Sequence, residues 1–276
     1  EAGIDGVVIT GGNANGSGSS SHPERRYGGG IYSPGTLTVA GSTVAGNSAS
    51  RGGGVYSSRT VTVIGSILSC NSANSYGGGI YSSGTLTINN STLAGNSASR
   101  GGGAYSSGTT SSASLNNTIV AENAAPAGPD VYNDSGTLTV SHNLIGNGSG
   151  QSALVDGVNG NLVGTAASPI DPMLSDWTQL DNGLWGFYLL PGSPALDAGS
   201  NALAVDEAGQ SLVEDIYGNP RIQNDTVDIG AVEGATAGSP ARLYLVTSLE
   251  NTIADDGVLT FVEAFEAAHR NQRVGD

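Results

Sequence analysis

The acidic residues of this chain are the first candidates for chemistry. Glycosidases need two facing carboxylates, and calcium-dependent polysaccharide lyases need clustered acids and a base. From Gly28 to Ala121, however, the sequence contains no Asp or Glu. Six acidic residues instead lie close together later in the sequence: Asp206, Glu207, Glu214, Asp215, Asp225 and Asp228. The stretch from Gly28 to Ala121 therefore lacks the residues for either mechanism, and we predict that the protein is not an enzyme.

Three of these acids are candidate metal ligands, because Ca²⁺ takes six to eight oxygen ligands in flexible geometry. They are Asp215, Asp225 and Asp228. The sequence has no EF-hand spacing, and its three histidines show no metal-ligand spacing. The alternative interpretation is that these residues are solvated loop acids and turn formers. Apart from this Ca²⁺ site, the sequence predicts no cofactor.

A recurring tyrosine is the second candidate for chemistry, since exposed aromatic rings can stack on sugar rings. In a strand, neighbouring side chains point to opposite faces. If Ile31, Val55 and Ile80 point inward, the tyrosines that follow them form an outward stripe. The alternative is a structural ladder of tyrosines that pack on one another or lie under a loop. The candidate ligand-binding residues are Tyr32, Tyr56, Tyr81 and Tyr105, with Tyr132 in a degenerate fifth copy.

These tyrosines belong to an internal repeat. A Gly-Gly-Gly triplet begins at Gly28, Gly52, Gly77 and Gly101, which gives spacings of 24, 25 and 24 residues. Short β-branched segments that alternate apolar with polar residues follow each triplet, as in half-buried strands. About 24 residues cannot bury a core alone, but stacked coils can. The sequence therefore predicts an all-β, right-handed parallel β-helix of nine to eleven coils.

Two columns of residues should result from this stacking. One is an inward apolar ladder that includes Leu86 and Leu93. The other is a column of asparagines at a corner, where stacked side-chain amides can bond from coil to coil. The asparagines that recur at this position are Asn47, Asn71, Asn96, Asn123 and Asn147.

Composition restricts the partners. The chain has 276 residues and a net charge of −15, and its nine basic residues are all Arg. Binding to a nucleic-acid backbone requires clustered Lys and Arg, so we predict no nucleic-acid partner. The same charge argues against an anionic membrane surface, and no run of 18 apolar residues is present. The composition suits a secreted protein without direct membrane insertion.

The coils carry a family resemblance. Gly-Gly-Gly-Ile at 28–31 and 77–80 resembles the Gly-Gly-Ala-Ile motif of chlamydial polymorphic outer-membrane protein repeats. Val-Ala-Gly-Asn at 44–47 and Leu-Ala-Gly-Asn at 93–96 resemble that family's Phe-x-x-Asn motif, with an aliphatic residue in place of Phe. This resemblance covers about residues 28–147 and implies a β-helical surface adhesin.

A second resemblance lies further along the chain. Leu-Leu-Pro-Gly-Ser-Pro-Ala-Leu-Asp-Ala-Gly at 189–199, Pro-Arg at 220–221 and Val-Asp-Ile-Gly-Ala-Val-Glu at 227–233 resemble the end of bacterial choice-of-anchor β-helix domains. Those domains belong to giant surface proteins, many from planctomycetes. The resemblance implies an extracellular, cell-surface protein whose export signal and anchor lie in other segments.

The tail resembles the leader that begins many bacterial β-helix proteins. It reads as a strand at 243–247 followed by a short helix, which suggests the start of a next module in a tandem array. The tail is therefore expected to dock head-to-tail on another module or on a second copy of the protein. The expected contact residues are Leu243, Leu245, Phe261, Ala264, Phe265 and Ala268.

Together these patterns predict four regions. They are regular coils at 1–150, a terminal choice-of-anchor-like β-helical region at 151–233, a linker at 234–242 and a leader-like strand and helix at 243–276. The predicted function is a non-catalytic, extracellular structural or adhesive module that assembles with itself and contacts surface glycans. The alternative is a carbohydrate-active enzyme, a polysaccharide lyase or glycosidase, or a carbohydrate-binding module with its site near the terminal acids.

Overall fold

Short parallel strands stacked through in-register hydrogen bonds form the body of the protein. The structure is a computed structural model that describes residues 2–16, 26–179 and 182–234, all within one unit spanning Glu1–Thr236. The predicted parallel β-helix is confirmed. The tail at 243–276 and its six predicted contact residues lie outside the described residues. No helix in the described ranges is long and apolar enough to cross a membrane.

Each coil contributes one strand to each of up to four sheets. Sheet 1 contains Ala2–Asp5, Leu37–Ala40, Val61–Ile64, Thr85–Asn89, Ser112–Asn116 and Thr137–Ser141. Sheet 2 contains Val8–Thr10, Thr43–Ala45, Ile67–Ser69, Thr92–Ala94, Ile119–Ala121, Leu144–Ile145 and Leu162–Val163. Sheet 3 is shorter, with Asn13–Ala14, Ser48–Arg51 and Ser72–Tyr76. Sheet 4 contains Ile31–Ser33, Val55–Ser57, Ile80–Ser82, Ala104–Ser106 and Val131–Asn133.

The interior of the coils is filled by buried apolar side chains. Leu86 of sheet 1, Leu93 of sheet 2 and Ile80 of sheet 4 are all at most 1% exposed and belong to one core cluster. Leu86 pairs with Val61 on the coil before it and Ala113 on the coil after it, so equivalent residues lie above one another. The predicted inward ladder is therefore confirmed.

The second glycine of each triplet permits a close approach between coils. A Cβ at Gly53 would lie 2.3 Å from the carbonyl oxygen of Ser72 and 2.5 Å from that of Gly78. The first glycine, Gly52, has a φ of 61°, a backbone conformation that residues with a Cβ rarely adopt. The triplet thus makes the corner between sheets 3 and 4.

The predicted asparagine column is also present, in what we call the asparagine ladder: Asn47, Asn71, Asn96 and Asn123. The backbone N–H and the side-chain Nδ2 of Asn71 both donate to Oδ1 of Asn96, each at 3.0 Å. Nδ2 of Asn71 also donates to the carbonyl oxygen of Val44 at 2.8 Å. Each amide therefore bonds both to the coil before it and to the next residue of the column.

The placement of Asn147 in this ladder is wrong, because Asp130 occupies the next position. Its Oδ1 accepts hydrogen bonds from the backbone N–H and Nδ2 of Asn123, at 3.2 and 2.9 Å. Its Oδ2 accepts from the backbone N–H of Asn147 at 2.6 Å. A carboxylate suits this position because donors approach both of its oxygens. Burial raises the pKa of Asp130 to about 6, despite these hydrogen bonds.

This pKa predicts a pH-dependent stability. Because the folded state holds the Asp130 proton more tightly than the unfolded state, stability is highest below the ordinary pKa of 3.8. It falls as the pH rises toward 6, where the buried side chain loses that proton. A shift of roughly two units is equivalent to about 3 kcal/mol at most. We expect the difference in unfolding free energy between the wild type and Asp130→Asn to fall between pH 4 and pH 6, as measured by urea denaturation. Asp176→Asn, at an exposed position, is the control. A difference that stays constant with pH would contradict the assignment.

The expected number of coils is wrong, since the sheets hold three to seven strands. After Leu162–Val163 the chain stops stacking. Residues 170–179 and 182–234, which we call the terminal segment, lie against the outer face of sheet 2. There Ile67 packs on Leu184, Ile216 and Val232, while its neighbour Leu68 faces the core. The segment contains an antiparallel hairpin of Thr178–Gln179 with Trp185–Gly186 and a short 3₁₀ helix at Asn201–Leu203; a second 3₁₀ helix precedes it at Val158–Gly160.

Candidate functional site

The predicted tyrosine stripe is a continuous stack of rings on the outer side of sheet 4. Successive ring centroids lie 4.9–5.5 Å apart, and their planes differ by at most 15°. In-register pairing of sheet 4 causes this spacing, because it places each tyrosine above the last. We call this set the tyrosine column: Tyr32, Tyr56, Tyr81, Tyr105 and Tyr132.

A second column covers much of the first. It alternates tyrosine and arginine from coil to coil: Tyr27 pairs with Arg51, Arg51 with Tyr76, and Tyr76 with Arg100. We call these four residues the outer column. The ring of Tyr27 stacks on Tyr56 at 4.7 Å, and that of Tyr76 stacks on Tyr105 at 4.8 Å.

The guanidinium groups of the outer column lie against tyrosine rings. That of Arg51 is 5.4 Å from the ring centroid of Tyr27, 5.2 Å from that of Tyr76 and 5.8 Å from that of Tyr81. That of Arg100 is 6.0 Å from Tyr76 and 5.8 Å from Tyr132. Such cation–π contacts lie within the range at which the ring quadrupole attracts a cation.

The outer column buries the central rings of the tyrosine column. Tyr56, Tyr81 and Tyr105 are only 9%, 6% and 4% exposed, whereas Tyr32 and the outer-column tyrosines are half-buried. Loss of water and the neighbouring phenols together raise the pKa of Tyr56 to about 12. The three buried tyrosines thus fit the structural-ladder interpretation, and their role in ligand binding stays a prediction.

Sequence reasoning missed the arginines of this surface. Arg51 and Arg100 precede glycine triplets at matching positions, so repetition alone explains them. The informative signal was a shared interval: Tyr27 and Tyr76 are 49 residues apart, and so are Arg51 and Arg100. Each residue type recurs at twice the coil length, and the two types are offset by one coil. Tyrosine and arginine must therefore follow one another along a single column of a solenoid.

Four acids of the predicted cluster line a groove between sheet 1 and the terminal segment, with a volume of about 310 Å³. They are Asp206, Glu207, Glu214 and Asp215, joined by Asp5, and none of the described residues that line the groove is basic. Oε2 of Glu207 accepts a hydrogen bond from the Thr38 hydroxyl at 2.7 Å, which ties the terminal segment to sheet 1.

The three predicted calcium ligands are not brought together as a metal site. Asp215 accepts hydrogen bonds from the backbone N–H groups of Tyr217, Asn219 and Glu233. Asp228 accepts from the backbone of Asp197 and Gly234, and Asp225 is exposed. Within the described ranges, no group of three or more His, Cys, Asp or Glu could hold a metal ion.

Asp215 and Asp228 instead surround a buried ion pair that the sequence analysis did not predict. Arg221, 2% exposed, donates through Nη1 to Oε1 of Glu233. Its Nη2 donates to Oδ1 of Asn90 at 3.2 Å and to the carbonyl oxygen of Gly230 at 2.8 Å. Burial raises the pKa of Glu233, and the Arg221 guanidinium opposes that shift. The bond from Arg221 to Asn90 ties the terminal segment to the coils.

Comparisons with known proteins identify no family for this chain. No protein-family model matches the chain, and no curated protein or solved structure is significantly similar to it. The resemblances drawn from the sequence therefore stay predictions.

Proposed function

We propose that this protein is a non-catalytic structural and adhesive module of an extracellular surface. One observation carries the proposal: the polar and aromatic side chains that recur along the chain are satisfied by their equivalents one coil away. The asparagine ladder bonds through its amides, and the tyrosine column stacks through its rings. Such cross-coil contacts stiffen a solenoid because each coil fixes the next.

Stiffness along the stack is useful in a spacer or a presenting surface. Sheet 1 has six strands, so at about 4.8 Å per coil it extends over roughly 24 Å. The lateral faces keep fixed spacings along that length. A repeating surface of this kind suits a repeating partner such as a surface glycan.

The cell-surface location and the self-assembly are supported by the sequence resemblances alone. On that basis we also propose head-to-tail contact through Leu243, Leu245, Phe261, Ala264, Phe265 and Ala268.

The acidic groove favours a second candidate, a carbohydrate-active enzyme. Two of its carboxylates are open to solvent, since Glu207 and Glu214 are exposed. Asp206 is half-buried, and its Oδ1 already accepts from the backbone N–H groups of Ala208 and Gln210. A glycosidase needs one carboxyl group as acid and another as base or nucleophile on opposite sides of the sugar. Asp215 is already bonded to three backbone N–H groups, which leaves it poorly suited to either role.

A turnover assay separates the two candidates. We expect the protein to release no product above the blank from pectin, polygalacturonate, alginate, xylan and β-glucans, because Asp206 and Asp215 are both held by backbone N–H groups. Glu207→Gln and Asp206→Asn should behave as the wild type does. Turnover by the wild type that disappears in Glu207→Gln but persists in Asp176→Asn, a control at an exposed position, would establish the enzyme instead.

A further inference from the structure

Two arginines lie among a stack of tyrosine rings on one side of a strongly acidic protein. The described ranges contain five arginines: Arg26, Arg51, Arg59, Arg100 and Arg221. Arg221 is buried in its ion pair, whereas Arg51 and Arg100 lie in the outer column. No acidic residue occurs between Gly28 and Ala121, although the whole chain carries a net charge of −15. The outer column is therefore a local cationic surface.

We propose that the outer column binds an acidic polysaccharide that runs parallel to the axis of the coils and carries its anionic groups on alternate sugars. The inference rests on the proposed adhesive role and names its partner. The cations of the outer column would pair with carboxylates or sulfates, and the tyrosines between them would contact the sugars that separate those anions.

The guanidinium groups are available for this pairing. Within the described ranges, the side chains of Arg51 and Arg100 make no hydrogen bond or ion pair, and their contacts are with tyrosine rings. Stacking occupies the faces of a guanidinium, but its five N–H donors lie in its plane and match a carboxylate bidentately. Arg100 is exposed and Arg51 is half-buried. The tyrosines also hold the guanidiniums in place, which lowers the entropy lost on binding.

The spacing of the column selects the class of polysaccharide. Arg51 and Arg100 are separated by one intervening coil, which carries Tyr76. At about 4.8 Å per coil, the two cations are therefore roughly 10 Å apart. One pyranose residue in an extended chain is close in length to one coil. Anions on every second sugar would thus meet cations on every second coil, with an uncharged sugar over Tyr76.

A nucleic acid fits this surface less well. Its phosphates recur on every nucleotide and demand a dense cluster of Lys and Arg, whereas the outer column offers one cation per two coils. The cationic surface ends after Arg100. The next position of the column is Ala127, and the exposed acid Asp134 lies near Tyr105. The site thus spans about four coils, from Tyr27 to Arg100.

The test is calorimetric titration of the full chain with hyaluronan decasaccharide, which carries a carboxylate on alternate sugars. We expect binding that weakens with added salt, and at least fivefold weaker binding in Arg51→Gln and in Arg100→Gln. The double variant should bind below detection. Arg59→Gln, an exposed arginine outside the column, should stay within twofold of the wild type. Hexa-N-acetylchitohexaose, which is neutral, should not bind, and polygalacturonate, with a charge on every sugar, should bind more weakly.

Melting temperature and near-ultraviolet circular dichroism of each variant check that the tyrosine column is intact. If a Gln variant loses its stack, Arg100→Lys keeps the charge and should retain salt-dependent binding. The inference fails if hyaluronan does not bind, if Arg59→Gln weakens binding as much as Arg100→Gln, or if oligothymidylate binds as tightly. Failure here without any polysaccharide turnover would leave the structural part of the proposed function in place.

Discussion

Replacing Asn96 by alanine is expected to lower the free energy of unfolding by about 3–5 kcal/mol, because several buried polar groups lose their partners together. Asn96 is fully buried. Its Oδ1 accepts from the backbone N–H and Nδ2 of Asn71, each at 3.0 Å, and its Nδ2 donates to the carbonyl oxygen of Leu68 at 2.9 Å. Its Nδ2 also donates to the carbonyl oxygen of Ala94 at 3.3 Å and to Oδ1 of Asn123 at 2.9 Å. Alanine removes all five bonds, and water has no access to replace them.

Urea denaturation followed by far-ultraviolet circular dichroism measures this effect. Asn74→Ala is the matched control, since Asn74 is an exposed asparagine whose side chain bonds only to Asn15 among the described residues. We expect the control to change stability by less than about 0.5 kcal/mol. A loss of less than 1 kcal/mol in Asn96→Ala would mean that the ladder contributes little to stability.

Replacing Arg221 by methionine is the second substitution with a large expected effect. It leaves the Glu233 carboxylate buried without its cation, which costs about 3–5 kcal/mol when one partner of a buried pair is removed. The terminal segment should then detach from sheet 2 at lower denaturant than the coils unfold, because Arg221 also bonds to Asn90 of the coils.

The two tryptophans of the chain report on this segment specifically. Trp177 and Trp185 lie within it, with ring centroids 6.4 Å apart, so their fluorescence follows the segment while circular dichroism follows the coils. The loss should shrink as the pH falls, since the unpaired Glu233 can then bind a proton. The double variant Arg221→Met with Glu233→Met should lose less stability than Arg221→Met alone. Equal losses of stability in the two variants would show that the unpaired charge of Glu233 does not cause the effect.

The repeat made much of the fold predictable. In a parallel solenoid each coil contacts its neighbours in register, so a residue type that recurs at the coil length must form a column. The inward ladder through Leu86, the asparagines at 47, 71, 96 and 123, and the outward stack of tyrosines all follow from this rule. The prediction needed strand alternation and the repeat length, and both are local properties of the sequence.

Contacts between residues that do not share the repeat were decided by the tertiary structure. Asp130 lies seven residues after Asn123, yet it replaces Asn147 in the ladder because both of its oxygens meet donors. The terminal segment folds back over Ile67 instead of adding coils, since sheet 2 offers it an apolar outer face.

The candidate site divides in the same way. The sequence by itself determined that tyrosines would stack on the outer side of sheet 4 and that the coils from Gly28 to Ala121 would contain no acids. Only the tertiary structure decided that the end of sheet 3 would cover those tyrosines and place Arg51 and Arg100 among them. The reason is that a repeat specifies which residues lie above one another along the axis, whereas the packing of one sheet's edge against the next depends on side-chain size and charge at the corner.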